Sequence, residues 1–413
     1  MVLLAHPFGN ANVRAVLEAL HARGMLAKYI TALGWSEQAG LLSMLPGKLQ
    51  RSLARRSYRL PPEKIEVHPA REVLRLGASA VKARPLIEHE RGFASIDRVW
   101  NGLDAAAARH LRAKRDTEKV AAVYAYEDCA LELFRAARDL GVRRVYDLPI
   151  AYWETAQRLL KEEAERYPDW EPTLGGTRDS NAKLARKAEE LELAELVVCP
   201  SNFVLDSLPE KTRATKRCVM VPFGSPEVND GQGVQRSRSA KLRVLFAGAM
   251  TQRKGLADLF AAMKLIRSAE VELVVMGSRL RPLAFYREQF PHFTYEPPRP
   301  HADVLHLMRS CDVFVLPSIV EGRALVQQEA MTSGLPLIAT LNAGGDDLIE
   351  DGKTGFLVPI RSPEALAKKI SWCVTHREST YGMGIAAQGR ASELTWRGYG
   401  AKVLAAVQTL TAT

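Results

Sequence analysis

The sequence has no apolar run near the ~20 residues that a membrane-spanning helix needs. Cysteines are few. The five (Cys129, Cys199, Cys218, Cys311 and Cys373) are odd in number, far apart and never spaced C-x-x-C. That excludes a disulfide framework and a structural zinc site, and it points to a reducing compartment, the cytoplasm. Short-period repeats and low-complexity tracts are missing. Residues 1–7 carry no basic stretch leading into a signal-peptide core and read instead as a first strand. Acids are in deficit, 47 Asp and Glu against 57 Lys and Arg, which leaves a net charge of +10. At 413 residues, with 47% apolar and 25% charged residues, the chain has an ordinary globular composition and suits two domains.

Net charge speaks to partners rather than to fold. Between residues 23 and 59 the cations Arg23, Lys28, Lys48, Arg51, Arg55, Arg56 and Arg59 face the single acid Glu37, with leucines interleaved. A basic amphipathic stretch of this kind suits an anionic membrane surface, here the inner face of the membrane; a solvated helix covering the first domain is the plainer reading. No nucleic-acid-binding module accompanies the charge, so nucleic acid is not an expected partner.

Short apolar runs alternate with helical patterns. Strands are expected at residues 2–5, 119–124, 142–146, 194–199 and 219–222, with helices at 11–23, 129–139 and 181–193. Residues 224–241, rich in Gly, Ser, Asn, Asp and Arg, read as a linker. The alternation then restarts, with strands at 242–246, 271–276, 313–317, 335–339 and 357–358 and helices at 256–268, 304–309, 324–332 and 363–376. Strand–helix alternation implies crossovers and parallel sheets. The fold class expected is therefore α/β, with two Rossmann-like, doubly wound domains facing across a cleft. The first domain spans residues 1–223 and the second 242–394, with a last helical segment at 395–413.

Two elements of the second half carry chemistry. In Val313-Phe-Val-Leu-Pro-Ser-Ile-Val-Glu-Gly-Arg-Ala-Leu, a buried strand enters a loop at Glu321-Gly322 and a helix opens near Arg323 or Ala324. Free amides at such a helix start favour an anion. Glu329 lies eight residues beyond Glu321, on the helix, so two carboxylates can address vicinal hydroxyls of one ligand. A loop cap at Glu321 with an incidental surface Glu329 is the alternative. In Leu245-Phe-Ala-Gly-Ala-Met-Thr-Gln-Arg-Lys-Gly, a strand and a Gly turn lead to Arg253-Lys254 just before a helix, an arrangement that suits a diphosphate; an exposed basic turn is the alternative.

These residues resemble the GT-B superfamily, and in particular the retaining glycosyltransferase family 4. The resemblance rests on Gly248 with Arg253, Lys254 and Gly255, on Glu321 through Glu329-Ala330-Met331, on Gly334-Leu335-Pro336, and on Asp347-Leu-Ile-Glu-Asp-Gly-Lys-Thr-Gly-Phe. A late Trp396 looks like the start of the family's C-terminal helix, which crosses back to the first domain. The resemblance is close over the second domain and looser over the first.

It implies a retaining, metal-independent hexosyltransferase-like enzyme, with a nucleotide-diphosphate sugar as co-substrate and no cofactor; no D-x-D motif is present. It assigns Glu329 to the ribose hydroxyls, Glu321 to the donor sugar, and Arg253 and Lys254 to the diphosphate. The amides of Gly322, Arg323, Ala324 and Leu325 would face sugar and phosphates, and Gly9 would approach the phosphates from the other domain. The expected acceptor is a glycan or a lipid-linked glycan of cell-envelope, polysaccharide or glycolipid synthesis.

Departures matter. Arg323 and Ala324 stand where the family has an aromatic residue and then glycine, so an extra cation could alter donor choice. No histidine stands at the strand ends of the first domain where many members carry one; Asp147, with Glu127 second, is the candidate to orient or deprotonate the acceptor, and a helix cap is the equal alternative. His6 and His110 are weaker candidates. Competing functions are a nucleotide-sugar-binding protein with weak or no transfer, an epimerase of the same fold, and a phosphorylase, for which no pyridoxal phosphate signal is visible.

Overall fold

The computed structural model describes residues 1–37, 56–227, 240–266 and 268–412. The first sheet contains β1 (Val2–Ala5), β2 (Leu26–Thr31), β3 (Ile65–Val67), β4 (Ala122–Tyr126), β5 (Arg143–Asp147), β6 (Leu196–Cys199) and β7 (Arg217–Met220). The second contains β8 (Leu242–Ala247), β9 (Val271–Met276), β10 (Phe293–Glu296), β11 (Val313–Leu316), β12 (Leu337–Thr340) and β13 (Gly355–Val358). The orders are β3-β2-β1-β4-β5-β6-β7 and β10-β9-β8-β11-β12-β13, and every ladder is parallel.

The helices of eight residues or more among the described residues are α1 (Ala11–Ala22), α2 (Ala70–Ala80), α3 (Ile96–Lys114), α4 (Leu131–Asp139), α5 (Trp153–Arg166), α6 (Asn181–Leu193), α7 (Leu256–Ile266), α8 (His301–Arg309), α9 (Leu325–Thr332), α10 (Pro363–Thr375), α11 (Arg377–Ser392) and α12 (Trp396–Ala412). Both domains are doubly wound. Because successive strand residues point to opposite faces, Leu3, Val123, Tyr146 and Val197 enter one core of the first sheet while Leu4, Tyr124, Val145 and Val198 enter the other. Strands buried on both faces are mostly apolar, which makes such runs readable.

α12 packs on α1. Val403, Val407 and Leu410 join Val13, Val16 and Leu17 in one core. A Cβ on Gly400 would lie 2.5 Å from the Ala15 carbonyl oxygen, so the two helices cross at glycine distance.

One stretch of the first 223 residues packs outside the first sheet. After α5, Trp170 enters the core of the second sheet, with ring centroids 5.1 Å from Phe285 and 5.7 Å from Tyr286. Polar contacts bind the end of α5 that leads into this strap. Gln252 Nε2 donates to Glu163 Oε2 at 2.6 Å, Arg166 pairs with Asp258 at 2.8 Å, and Arg361 pairs with Glu162 at 2.7 Å. Tyr167 and Trp170 thus pack with the core of the second sheet, while Leu174 packs with Leu159, Leu160, Ile319 and Val320. Trp170→Ala is expected to lower stability by about 3–5 kcal/mol, read as a urea midpoint shift; a change under about 1 kcal/mol would mean that the strap is not held by its indole.

Most of the expected linker, residues 228–239, lies outside the described residues. So do Lys48, Arg51 and Arg55 of the basic stretch. Among its described cations, Lys28 lies in β2 and reaches Glu118 at 3.8 Å, Arg56 pairs with Glu72 at 3.1 Å, and Arg59 lies 3.7 Å from Glu37.

Candidate active site

In the second sheet the strand order reverses between β8 and β11, and ligands of open α/β sheets bind beyond the strand ends at such a point. The loop after β8 turns at Gly248 (φ +150°) and enters a short 3-10 turn, Gln252–Lys254, that ends at Gly255 in the left-handed region (φ +73°). A Cβ on Gly255 would lie 2.0 Å from the Pro317 carbonyl oxygen. Glycine here lets the loop after β8 press against the loop after β11. The contact is fixed by Ile319 N donating to the Arg253 carbonyl (2.9 Å) and by the Arg253 guanidinium donating to the Val320 carbonyl (3.0 Å).

This packing brings the expected charges together. Lys254 Nζ lies 2.5 Å from Glu321 Oε1, and an Arg253 guanidinium nitrogen lies 3.1 Å from the same oxygen. Burial alone would push the Glu321 carboxyl up, yet Lys254 and Arg253 hold it below its ordinary range. Gly248 makes room for the lysine stem: a Cβ there would meet Lys254 Cδ at 2.8 Å. α9 opens at Leu325 with Ala324 as its cap residue and no side chain capping it, so its first amides face the loop. Glu329 lies within α9, its side chain 22% exposed, with His301 Nδ1 3.6 Å away. Burial raises the Glu329 pKa and His301 opposes it.

Arg323 does not present its cation to this crevice. Its fully buried guanidinium binds Asp347 through two nitrogens, at 2.5 and 3.1 Å, and bonds Gln328 Oε1 at 3.2 Å. The expectation of an extra cation acting on the donor is corrected. The side chain holds the loop before α9, and only the backbone of Arg323 remains a candidate contact.

The two domains meet at Gly322. Its carbonyl accepts from Ser201 Oγ at 2.6 Å, and Ala151 N donates to the Glu321 carbonyl at 3.3 Å. A Cβ on Gly322 would lie 1.7 Å from the Pro149 carbonyl oxygen. Pro149 and Ser201, at the ends of β5 and β6, were not read as site residues. Their partners lie more than 100 residues away, and no local pattern announces them.

Gly9, after β1, lines a separate cavity of ≈ 520 Å³ with Pro7, Phe8, Asn10, Arg14, Leu33 and Arg56. A Cβ on Gly9 would meet the Tyr58 hydroxyl at 2.4 Å, and its carbonyl accepts from Arg14 Nε at 2.9 Å.

Asp147 is placed differently from the expectation. It is 1% exposed, and its Oδ2 accepts from the hydroxyls of Tyr124 (2.6 Å) and, across from α12, Tyr399 (3.4 Å). Burial pushes its pKa up to about 7, against the tyrosine hydroxyls that pull it down. An acceptor has no open path to that carboxylate, and Asp147 caps no helix. Glu127 is also buried, 3.4 Å from Lys187, with its pKa raised to about 7 by burial. His6 is buried against Trp100 and Tyr126 and accepts from Phe8 N at 2.9 Å; burial lowers its pKa to about 3. His110 sits between Glu66 and Glu118, at 2.7 and 3.0 Å.

The folded state holds a proton on Asp147 between its ordinary 3.8 and about 7, where the unfolded chain has lost it. The stabilising contribution is full below that window and disappears as pH rises through about 7. Asp147→Asn mimics the protonated form. Its melting temperature is expected to match the parent near about pH 3.5 and to exceed it increasingly up to about pH 8; a lower value at the higher pH would show that the ionised carboxylate is favoured where it lies.

Comparison with known proteins fits this geometry. Residues 241–376 match the model of the glycosyl transferases group 1. The match falls on the second domain and covers about a third of the chain. The D-inositol 3-phosphate glycosyltransferase of Paenarthrobacter aurescens is 28% identical over 171 residues, 39% of this chain and 42% of that protein. That of Jonesia denitrificans is 26% identical over 207 residues, 46% and 49% of the two chains. The alignments thus span less than half of these curated relatives. Among solved structures, Anabaena HepE in complex with UDP superposes with a TM-score of 0.62 at 16% identity over 99% of both chains. Sucrose-phosphate synthase from Thermosynechococcus elongatus gives 0.61 at 16%, over 100% and 99%. The chain has the GT-B fold, and the paired acid and cations sit at the switch point of its second sheet.

Proposed function

We propose that the protein transfers a sugar from a nucleotide-diphosphate donor to an acceptor hydroxyl, with retention at the anomeric carbon and without a metal. The observation that carries this reading is the convergence of Lys254 and Arg253 on Glu321 beside the start of α9. Both cations are positioned before any ligand arrives, so they can exchange part of their bond to Glu321 for the diphosphate without reorganising. As the anomeric C–O bond breaks, negative charge grows on the leaving phosphate. Fixed cations and helix-end amides stabilise this added charge more than the smaller charge of the bound donor.

In this reading Glu321, held ionised by its neighbours, accepts from hydroxyls of the donor sugar. Glu329 accepts from the ribose hydroxyls. The acceptor oxygen bonds the anomeric carbon on the face the phosphate leaves, and its proton passes to the departing phosphate oxygen, which balances the step. Anabaena HepE is in complex with UDP and with UDP-glucose, which supports a uridine donor. The acceptor is taken to be a glycan or a lipid-linked glycan, entering by the cavity at Gly9.

A thermal-shift panel of UDP-, GDP- and ADP-sugars tests the reading. A donor at a hundred times its Kd stabilises the native state by about 2.7 kcal/mol, a shift of several degrees. One of the panel is expected to give it, and proton NMR of the product is expected to show the donor's anomeric configuration. No shift with any nucleotide-sugar would overturn the proposal.

A further inference from the structure

α2 is turned inside out for a helix facing water. Its Glu72 is fully buried, bound by Arg75 Nε at 2.7 Å and by Arg56 at 3.1 Å, while Val73, Leu74 and Leu76 point outward. The apolar surface continues beyond the helix. Val73 is 55% exposed, Val81 75%, Leu86 40% and Phe93 63%. A carboxylate inside and leucines outside is a costly arrangement unless something apolar meets the outer face.

The rim of the patch shows what meets it. Lys82, Arg84 and Arg91 are exposed in the segments that carry it, Arg91 3.8 Å from Glu88, and Glu88 is the single exposed acid among residues 70–98. Two copies of a chain with net charge +10 would set these cations against one another, whereas anionic head groups attract them. We infer that the surface formed by α2, Val81, Leu86 and Phe93 docks on an anionic lipid bilayer, the apolar side chains entering the head-group boundary and the rim cations pairing with lipid phosphates. Of the basic stretch of residues 23–59, Arg56 holds Glu72 on the inner side of α2, while Lys28 and Arg59 lie beside Glu118 and Glu37.

α2 follows β3 at the carboxyl end of the parallel sheet, the same end as the loop that carries Gly9. Arg56, the partner of Glu72, also lines the cavity at Gly9. Docking would therefore set that cavity at the bilayer surface, where a lipid-linked acceptor resides. This last point rests on the proposed transfer; the docking does not.

Flotation of the full chain with vesicles of phosphatidylcholine plus phosphatidylglycerol, and of phosphatidylcholine alone, tests the inference. The protein is expected to float with the anionic vesicles only. Combined Val73→Ser, Leu76→Ser, Val81→Ser and Phe93→Ser should weaken binding at least about tenfold. Lys82→Glu with Arg84→Glu should weaken it by about fivefold or more for each cation. Leu265→Ser, at an exposed apolar residue of the second domain, should leave it unchanged. Nucleotide thermal shifts equal to the parent's would show that the variants are folded, independently of any lipid.

Three results would overturn the inference: no binding by the parent, equal binding by the apolar variant, or equal binding to neutral vesicles. So would a parent that sediments as a dimer and becomes monomeric with the four serines, since a second copy would then cover the face.

Discussion

Lys254→Ala is expected to lower kcat for sugar transfer by about 10²–10³-fold. Its Nζ is the closer of the two cations on Glu321, at 2.5 Å against 3.1 Å for Arg253, and the stem is held against Gly248. A preplaced cation is worth most where charge appears, on the leaving phosphate, and least in the ground state. The loss should fall mainly on kcat, with a smaller rise in KM for the donor. The variant also removes a partner of the buried Glu321, so its carboxyl pKa should rise and the acid limb of the pH–rate profile should move upward. Steady-state kinetics across pH would check both. An equal loss in kcat/KM carried wholly by KM would place Lys254 in ground-state binding alone.

Gly322→Ala should be nearly as damaging by a different route. The added methyl would have to occupy space 1.7 Å from the Pro149 carbonyl oxygen, so the loop after β11 must withdraw from the ends of β5 and β6. That movement breaks the bond from Ser201 Oγ to the Gly322 carbonyl and displaces Glu321, the adjacent residue. Turnover is expected to fall about a hundredfold through lost alignment. UDP binding should change little, because the loop carrying Lys254 and Arg253 stays on the second domain. Turnover within about threefold of the parent would mean that the domains do not need this contact in the productive state.

The second domain was legible because its chemistry is local. Arg253-Lys254-Gly255 and Glu321-Gly322 each follow a buried strand directly, and neighbouring parallel strands bring such ends together without further information. Asp147 was misplaced because only its position at a strand end was read, and not the face it points to. Alternation along β5 sets Tyr146 on one face and Val145 with Asp147 on the other. That second face is covered by α12, which brings in Tyr399 from the far end of the chain.

Arg323 misled for the same reason: its partner Asp347 lies beyond β12. The strap with Trp170 has no periodic pattern, and its membership of the second core depends on Phe285 and Tyr286 more than 100 residues later. β3 and α2 escaped notice because a three-residue strand and a helix with a buried glutamate break the patterns that burial normally imposes.

The central claim, that a diphosphate is held by Lys254 and Arg253 beside α9, is tested most directly by titration calorimetry of UDP and UMP against the parent and Lys254→Ala. The account predicts that the parent binds UDP well over tenfold more tightly than UMP, about 1.4 kcal/mol or more, and that the variant loses most of that preference. Equal preference for the second phosphate in both proteins would contradict it.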